Sequence, residues 1–321
     1  MKVLVTDYAW PNLDVERTIL SEIGVEIIEA PDGNEETLIH LAQGVCGILT
    51  CWAQTTCRVI KAALPDLKVI SRYGVGLDNI DVAFATEKRI PVTRVPDYCF
   101  IDVAEHTLAM MLALSRKVVR FDCLIRQGKW NIQYGGRLNR LTGQTLGLIG
   151  FGQIAQQVVP RAKAFGMHVV AFSPSLTAER AASVGAEAVE LERLLEISDY
   201  ISIHCPATEE TRGMVNADLL TKMKPTTCLI NTSRGEIIDE TDLLKALESD
   251  VIAGVALDVR SKEPPNENDR LIAMPQVIHT PHTAFFSSES LVELQEKTAW
   301  EARRVLMGKE PINLVNPEYR K

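Results

Sequence analysis

The sequence predicts an α/β protein with two doubly wound parallel sheets, and three observations support this fold class. Short apolar, β-branched runs alternate with helix-like segments along most of the chain. The runs lack the strict polar alternation of half-exposed strands, which indicates strands that are buried on both faces. The 321 residues are enough for about two domains of ordinary size.

The first third of the chain predicts five strands separated by four helices. The strands are expected at residues 3–6, 25–29, 47–50, 67–71 and 91–95. The helices are expected at residues 13–23, 35–42, 58–64 and 82–88. A long helix follows, with Asp102 as its expected N-cap and with a course to about Ile125. Because this helix is apolar nearly all round, we expect it to be buried in an interface.

A second α/β series begins after a polar, glycine-rich connection over residues 131–143. Its strands are expected at residues 145–149, 168–172, 200–203, 228–231, 252–257 and 277–280. Residues 289–306 predict one long amphipathic helix.

Composition excludes several classes of protein. Apolar residues make up 46% and charged residues 24% of the chain, the usual balance of a globular protein. A net charge of −8 argues against a non-specific nucleic-acid binder. No apolar stretch approaches the roughly 20 residues of a membrane span, and no secretory signal is visible, so we expect a cytoplasmic protein without a membrane partner.

The cysteines and histidines predict neither disulfides nor a metal site. The seven cysteines are an odd number without a CxxC pair, and we expect them to be small buried hydrophobes in a reducing compartment. His279 and His282 have no Cys, Asp or Glu at ligand spacing beside them.

The sequence Gly150-Phe151-Gly152-Gln153-Ile154-Ala155 follows an apolar strand and opens a helix. This is the setting of a dinucleotide-binding turn, in which the glycines let the backbone approach a pyrophosphate at a helix N-terminus. An adenosylmethionine-dependent methyltransferase could use a similar turn. The acid that holds the adenine ribose at the end of the next strand is missing, because Ser173 stands there.

Three further segments each follow a predicted strand of the second series. They contain Arg234, then Asp258 and Glu263, then His282. Each alone could be a surface charge, a turn residue or a structural histidine. Because the carboxyl ends of parallel strands share one edge of the sheet, the three together favour a site for a small anionic substrate.

The chain resembles the D-2-hydroxyacid dehydrogenase family almost from end to end. The motifs that carry the resemblance are the turn at Gly150 and the segments 73–81, 103–106, 232–235, 263–264 and 281–282. Residues 96–99 look most like the branch that includes the C-terminal-binding-protein corepressors. Phosphoglycerate dehydrogenases and glyoxylate reductases belong to the same wider family.

The resemblance implies two domains, a homodimer and a reaction. It implies a discontinuous flavodoxin-like substrate domain, residues 1–99 plus 286–321, and a Rossmann domain, residues 100–285. The dimer interface would include the long helix after Phe100. The implied activity is reversible hydride transfer between a nicotinamide cofactor and a small D-2-hydroxy acid or its 2-keto partner. The alternative is a dinucleotide-sensing scaffold with little turnover, as in the corepressors.

The resemblance also implies roles for the three charged residues. His282 would exchange the hydroxyl proton, Glu263 would hold its imidazole, and Arg234 would bind the substrate carboxylate. Backbone N–H groups of Val75 and Gly76 would bind the same carboxylate. Trp52 would line the substrate pocket, with plain core packing as its other interpretation. Arg72 and Arg94 stay open as partners for a second anionic group on the substrate.

The cofactor expected from these residues is NAD or NADP, and Asp258 is expected near the nicotinamide. Ser173 favours use of NADP, since it lacks the charge that repels the extra phosphate. The nearest basic residue, Arg180, is expected on the next helix as a solvated side chain. Gln153 and Cys99 also depart from residues common in the family. The expected cofactor contacts are Gly150, Gly152, Gln153, Ile154, Ser173, Cys205, Pro206, Thr211, Thr232, Ser233, Arg234, Asp258 and His282.

Overall fold

Two parallel sheets, of five and seven strands, form the framework of the protein in its computed structural model, which describes residues 1–321. Unit 1 comprises Met1–Tyr98 and Ser287–Lys321, and unit 2 comprises Cys99–Phe286. The expected domain limits differ from these by one residue at each crossing. Every strand pair is parallel, which confirms the predicted fold class.

Unit 1 has the strand order β2-β1-β3-β4-β5, which is the flavodoxin-like order. Its strands are β1 Lys2–Val5, β2 Glu26–Glu29, β3 Gly47–Thr50, β4 Val69–Arg72 and β5 Val92–Thr93. Its helices are α1 Asp14–Ser21, α2 Glu35–Leu41, α3 Cys57–Ala62, α4 Val82–Glu87 and, near the end of the chain, α13 Ser288–Leu306. Ser287 begins α13 with a capping box to Ser290.

Unit 2 has the strand order β12-β11-β10-β9-β6-β7-β8. Counted from β6, this is the Rossmann order with one further strand. Its strands are β6 Thr145–Ile149, β7 His168–Phe172, β8 Glu187–Ala188, β9 Tyr200–Ile203, β10 Cys228–Asn231, β11 Gly254–Leu257 and β12 Val277–His279. Its helices are α5 Phe100–Arg116, α6 Val118–Arg126, α7 Gln153–Ala164, α8 Ala178–Ala182, α9 Leu191–Ile197, α10 Ala217–Thr221, α11 Glu240–Glu248 and α12 Arg270–Ala273.

Two separate apolar clusters cover the two faces of the sheet of unit 2. One contains residues of α5 and α7, and the other contains residues of α9, α10 and α11. This arrangement explains why the strands read as continuous apolar runs. Most predicted bounds agree with the structure to within two residues, whereas the two-residue strand β8 was not predicted.

The long helix predicted to run from Asp102 to about Ile125 is two helices. Cys99 is the N-cap, although its side chain makes no capping hydrogen bond, and Asp102 lies inside the first turn of α5. Lys117 adopts the left-handed conformation at φ 51°, and this separates α5 from α6. α5 is buried along one face, whereas α6 has no buried residue within the chain, so the expected burial of α6 in an interface stays a prediction.

The expectation that the cysteines are buried holds for three of the seven. Cys46, Cys51 and Cys99 are buried, Cys57 and Cys123 are exposed, and the remaining two are half-buried. All seven thiols are free. No cluster of three or more His, Cys, Asp or Glu side chains is arranged to bind a metal ion. None of the helices combines the length and apolar character needed to cross a bilayer.

Candidate active site

A glycine turn connects β6 to α7 at the carboxyl end of the seven-stranded sheet. Gly150 has φ +93°, and a Cβ there would lie 2.5 Å from the backbone nitrogen of Cys205, so only glycine fits. Gly152 is the N-cap of α7, and a Cβ on it would meet no atom within 4 Å. The N–H groups of Gln153 and Ile154 begin the helix and have no intrahelical acceptor. Open space and free donors at this turn fit the pyrophosphate of a dinucleotide.

The end of β7 carries Ser173, the serine expected at the position of a ribose-binding acid. Ser173 is half-buried and directly follows Phe172, the last residue of the strand. Arg180 lies on α8, but its Nη2 donates to the carbonyl oxygen of Phe151 at 3.1 Å. The expectation of a solvated Arg180 is therefore incomplete, because its guanidinium reaches the glycine turn.

The loops that follow β9 and β10 are joined at the same edge of the sheet. The Ser233 hydroxyl donates to the carbonyl oxygen of Cys205 at 2.5 Å. The Thr211 hydroxyl donates to the carbonyl oxygen of Pro206 at 2.6 Å. Arg234 is half-buried, and its Nη1 donates to the carbonyl oxygen of Ser233 at 2.8 Å. These bonds fix the backbone from which the Arg234 side chain extends.

The loop of Arg234 packs directly against the loop that carries Glu263. A Cβ on Gly235 would lie 1.9 Å from the carbonyl carbon of Arg260, so the two backbones touch. The Arg260 side chain is 6% exposed, and its Nη2 lies 2.8 Å from Glu240 and 2.6 Å from Asp269. Sequence reasoning missed Arg260, because the two acids that pair with it lie on other segments of the chain.

His282 and Glu263 form a hydrogen-bonded pair. His282 Nδ1 lies 2.6 Å from Glu263 Oε2, and Glu263 Oε1 accepts the Arg260 N–H at 2.8 Å. Burial opposes ionisation of Glu263, but the bonds from His282 and Arg260 outweigh it and leave the pKa of the carboxyl below its ordinary value. A carboxylate only accepts, so Nδ1 carries a proton and Nε2 is the nitrogen left to exchange one.

Asp258 holds the turn on which His282 lies. The carboxylate is buried, and its Oδ1 accepts from the Thr280 hydroxyl at 2.6 Å and from the Thr283 N–H at 2.8 Å. Its Oδ2 accepts from the Ala284 N–H at 2.9 Å. His282 itself has φ 54° and donates its N–H to the Asp258 carbonyl at 2.8 Å. The expected contact of Asp258 with a nicotinamide stays a prediction.

A cavity of about 380 Å³ lies beside the histidine–carboxylate pair. Glu263, His282 and Asp258 line it, together with the rings of Pro264 and Pro281. Its volume is sufficient for a small organic acid. Unit 2 therefore places a histidine–carboxylate pair, an arginine and a glycine turn at one sheet edge.

Unit 1 presents its candidate residues on loops that follow β3 and β4. The Trp52 N–H donates to Asp7 Oδ2 at 2.7 Å, and the Trp52 residue is 41% exposed, so the interpretation as core packing is wrong. Val75 is 38% exposed, and neither Val75 nor Gly76 donates its N–H to an acceptor in the protein. The two N–H groups are therefore free to bind a carboxylate.

Arg72, at the end of β4, has a buried Nε without a hydrogen-bond partner. Its Nη1 lies where a Cβ on Gly74 would be, so the guanidinium covers the glycine loop. Arg94 reaches the Val75 carbonyl only at 3.5 Å. Of the two basic residues left open by the sequence, Arg72 has more guanidinium donors unused.

Several known proteins are similar to this chain in sequence. A family model described as D-isomer specific 2-hydroxyacid dehydrogenase, NAD binding domain, matches residues 108–284. The chain is 37% identical over 317 residues to the D-3-phosphoglycerate dehydrogenase of Methanocaldococcus jannaschii, an alignment that covers 98% of this chain and 59% of that protein. It is 39% identical over 259 residues to the glyoxylate reductase of Korarchaeum cryptofilum, covering 80% and 78%.

Solved structures are similar along the whole chain. A protein from Thermus thermophilus has a TM-score of 0.88 at 33% identity, over 98% of this chain and 100% of that one. An acyclic imino acid reductase in complex with NADPH and D-Arg has a TM-score of 0.85 at 29% identity, with the same coverage.

Proposed function

This chain belongs to the D-isomer specific 2-hydroxyacid dehydrogenase family, and we propose that it transfers a hydride between a nicotinamide cofactor and a small D-2-hydroxy acid or its 2-keto partner. The observation that carries the proposal is the His282–Glu263 pair, 2.6 Å apart, at the same sheet edge as Arg234 and the glycine turn. Unit 2 is the proposed dinucleotide-binding domain and unit 1 the proposed substrate domain.

Each residue of the set has one proposed task. Arg234 binds the substrate carboxylate through its planar fork of donors. His282 Nε2 takes the hydroxyl proton in oxidation and returns it in reduction. Glu263 holds the ring through Nδ1 and stabilises the imidazolium. The nicotinamide, when bound, supplies or accepts the hydride.

The proposed cofactor is NAD or NADP, held by the glycine turn and by the loops after β7, β9 and β10. Val75 and Gly76 of unit 1 are proposed to bind the carboxylate through their free N–H groups, and Trp52 is proposed to contact the substrate. The scaffold alternative is not favoured, because the matched relatives are named as a dehydrogenase and a reductase.

We also propose a homodimer in the cytoplasm. The helices α5 and α6 support the first part, since α6 exposes Val118, Val119 and Ile125. The free thiols support a reducing compartment. Light scattering of the purified chain should give twice the chain mass, and a single chain mass would contradict the dimer.

Turnover on a panel of keto acids tests the function. Glyoxylate, hydroxypyruvate, 2-ketoglutarate and bulkier 2-keto acids are each reduced with NADH and with NADPH. At least one acid should be reduced, and His282→Ala should lose about 10²–10⁴-fold in kcat while still binding the dinucleotide. Tight dinucleotide binding without turnover on any acid would favour the scaffold instead.

A further inference from the structure

One side chain of the 103–106 motif reaches the candidate site, although the proposed reaction does not use it. His106 lies on the second turn of α5, and its side chain is 22% exposed. Its Nε2 lies 2.9 Å from the Thr280 hydroxyl and 3.5 Å from Asp258 Oδ1. A histidine is therefore placed behind the turn that carries His282.

The donors and acceptors along this contact fix its direction. The Thr280 hydroxyl is 2.6 Å from Asp258 Oδ1, and a carboxylate accepts only, so Thr280 gives its one proton to Asp258. The Thr280 oxygen then has only acceptor capacity left for His106. Nε2 of His106 must carry a proton, and that N–H is present in both the neutral tautomer and the imidazolium.

The chain of hydrogen bonds that starts at His106 ends on the backbone of the turn that carries His282. Asp258 accepts the N–H groups of Thr283 and Ala284, and its own carbonyl accepts the N–H of His282. His282 has a left-handed backbone, which a residue with a side chain adopts at a cost in free energy and only where its surroundings hold it.

The residue next to His106 on α5 supports the second loop of the site. The Thr107 hydroxyl lies 3.1 Å from the Thr232 hydroxyl, two residues before Arg234. One turn of α5 thus contacts both the arginine loop and the histidine turn. α5 therefore contacts and supports two separate loops of the site.

We propose that His106 is a positioning residue, which aims His282 by donating its Nε2–H to Thr280 and so fixing the hydroxyl between α5 and Asp258. The proposal rests on the proposed function. It assigns His106 no contact with substrate or cofactor.

The test compares His106→Leu with His106→Gln. Leucine fills a similar volume without a donor, whereas the Nε2 of glutamine supplies an N–H in a similar place. We expect His106→Leu to lower kcat for keto-acid reduction about 10- to 100-fold. NAD(P)H affinity, measured by fluorescence titration, should change less than about twofold, and His106→Gln should restore most of the kcat.

Thr280→Val removes the bridging hydroxyl and should lower kcat by a similar factor. Because both substitutions break one chain of hydrogen bonds, the double variant His106→Leu with Thr280→Val should lose little more than either alone. Multiplied losses in the double variant would overturn the proposal.

A second measurement does not depend on turnover. The proton on His282 Nδ1, bonded to Glu263, should give a downfield ¹H resonance, assigned by its absence in His282→Ala. We expect it to be sharp in the parent and in His106→Gln, and to be broadened or lost in His106→Leu. Absence of keto-acid reduction by the parent would defeat the proposed function alone, since the resonance would still report on positioning.

Two further results would also overturn the proposal. One is a His106→Leu variant that keeps its kcat within twofold and an unchanged resonance. The other is an equal loss in the Leu and Gln variants with a lowered Tm in both, which would make His106 a packing residue.

Discussion

The pairing of His282 with Glu263 makes the pH dependence of reduction a property of two residues. In reduction the imidazolium donates the proton, and the Glu263 carboxylate favours that charged form. Glu263→Gln removes the negative charge, so the limb at which activity falls with rising pH should move to lower pH. The measurement is kcat against pH for the best keto acid.

Glu196→Gln is the matched control, because Glu196 is an exposed acid on α9 that pairs with Arg193. Its profile should overlay that of the parent. An unshifted limb in Glu263→Gln would make Glu263 a turn residue only.

We expect Ser173 to determine the preference between NADPH and NADH. The parent should use NADPH with only modest preference over NADH, since no acid ends β7. Ser173→Asp adds an acceptor for the ribose hydroxyls and a charge that repels the extra phosphate, and it should shift kcat/KM toward NADH by about 10- to 100-fold.

Ser175→Asp places the same charge on an exposed residue two positions further on, and should change the ratio little. A strong NADH preference in the parent would contradict this account, because another acid would then bind the ribose.

The sequence predicted which side chains to examine, since Arg234, Glu263 and His282 each follow a strand. It did not predict what holds them. Arg260 pairs with Glu240 and Asp269, and such pairs depend on how distant segments meet. The sequence likewise did not decide whether Trp52 is exposed, because an isolated tryptophan in an apolar segment gives the same sequence pattern in a core and in a pocket.

At the scale of elements, most strands were predictable because buried parallel strands are apolar throughout. The division of the long helix was not, since apolar residues continue across Lys117 and nothing in its neighbours marks a left-handed residue. β8 is only two residues long, too short to show any periodicity.

Helix ends offer a matched test of stability. Asp250 follows the C-cap of α11 with φ 52°, and Gly308 follows the C-cap of α13 with φ +73°. Asp250→Gly should raise the free energy of unfolding by about 0.5–1 kcal/mol, because glycine adopts this conformation without strain. Gly308→Ala should lower it by about 1 kcal/mol.

Urea unfolding of both variants measures the difference. A Cβ on Gly308 would meet no atom within 4 Å, so a loss there would reflect backbone conformation alone. Changes of the same sign in the two variants would contradict the explanation.

For the molecule as a whole, acid stability should depend on His204 in unit 2. Burial lowers the pKa of His204 to about 4, from 6.5 for the free side chain. Between these values the unfolded chain binds more protons, so the free energy of unfolding falls as the pH drops through this window. The loss should reach on the order of 2–3 kcal/mol below pH 4.

His204→Gln removes the titrating group and should flatten the change in unfolding free energy between pH 7.5 and pH 5. His40→Gln alters an exposed histidine of unit 1 and serves as the control. Equal slopes in the parent and His204→Gln would sink the assignment.

The alternation of apolar runs with helix-like segments predicted two parallel sheets, but it did not predict the order of the strands in them. In both sheets the chain adds strands on one side of its first strand and then on the other, so the order switches between β1 and β3 in unit 1 and between β6 and β9 in unit 2. Which strand inserts beside which depends on crossovers that local sequence does not encode. The shared sheet edge of the site was predictable because parallel strands align their carboxyl ends in any order.

Unit 1 is formed by two segments of the chain, one before and one after unit 2 in the sequence, and α13 packs on its β3, β4 and α1. On the ribosome, residues 1–98 emerge before unit 2, and α13 emerges after it. Unit 2 is uninterrupted and has its full sequence once Phe286 has been translated. Until the ribosome has translated unit 2, the nascent strands of unit 1 therefore lack α13, so one of their faces stays uncovered and accessible to chaperones.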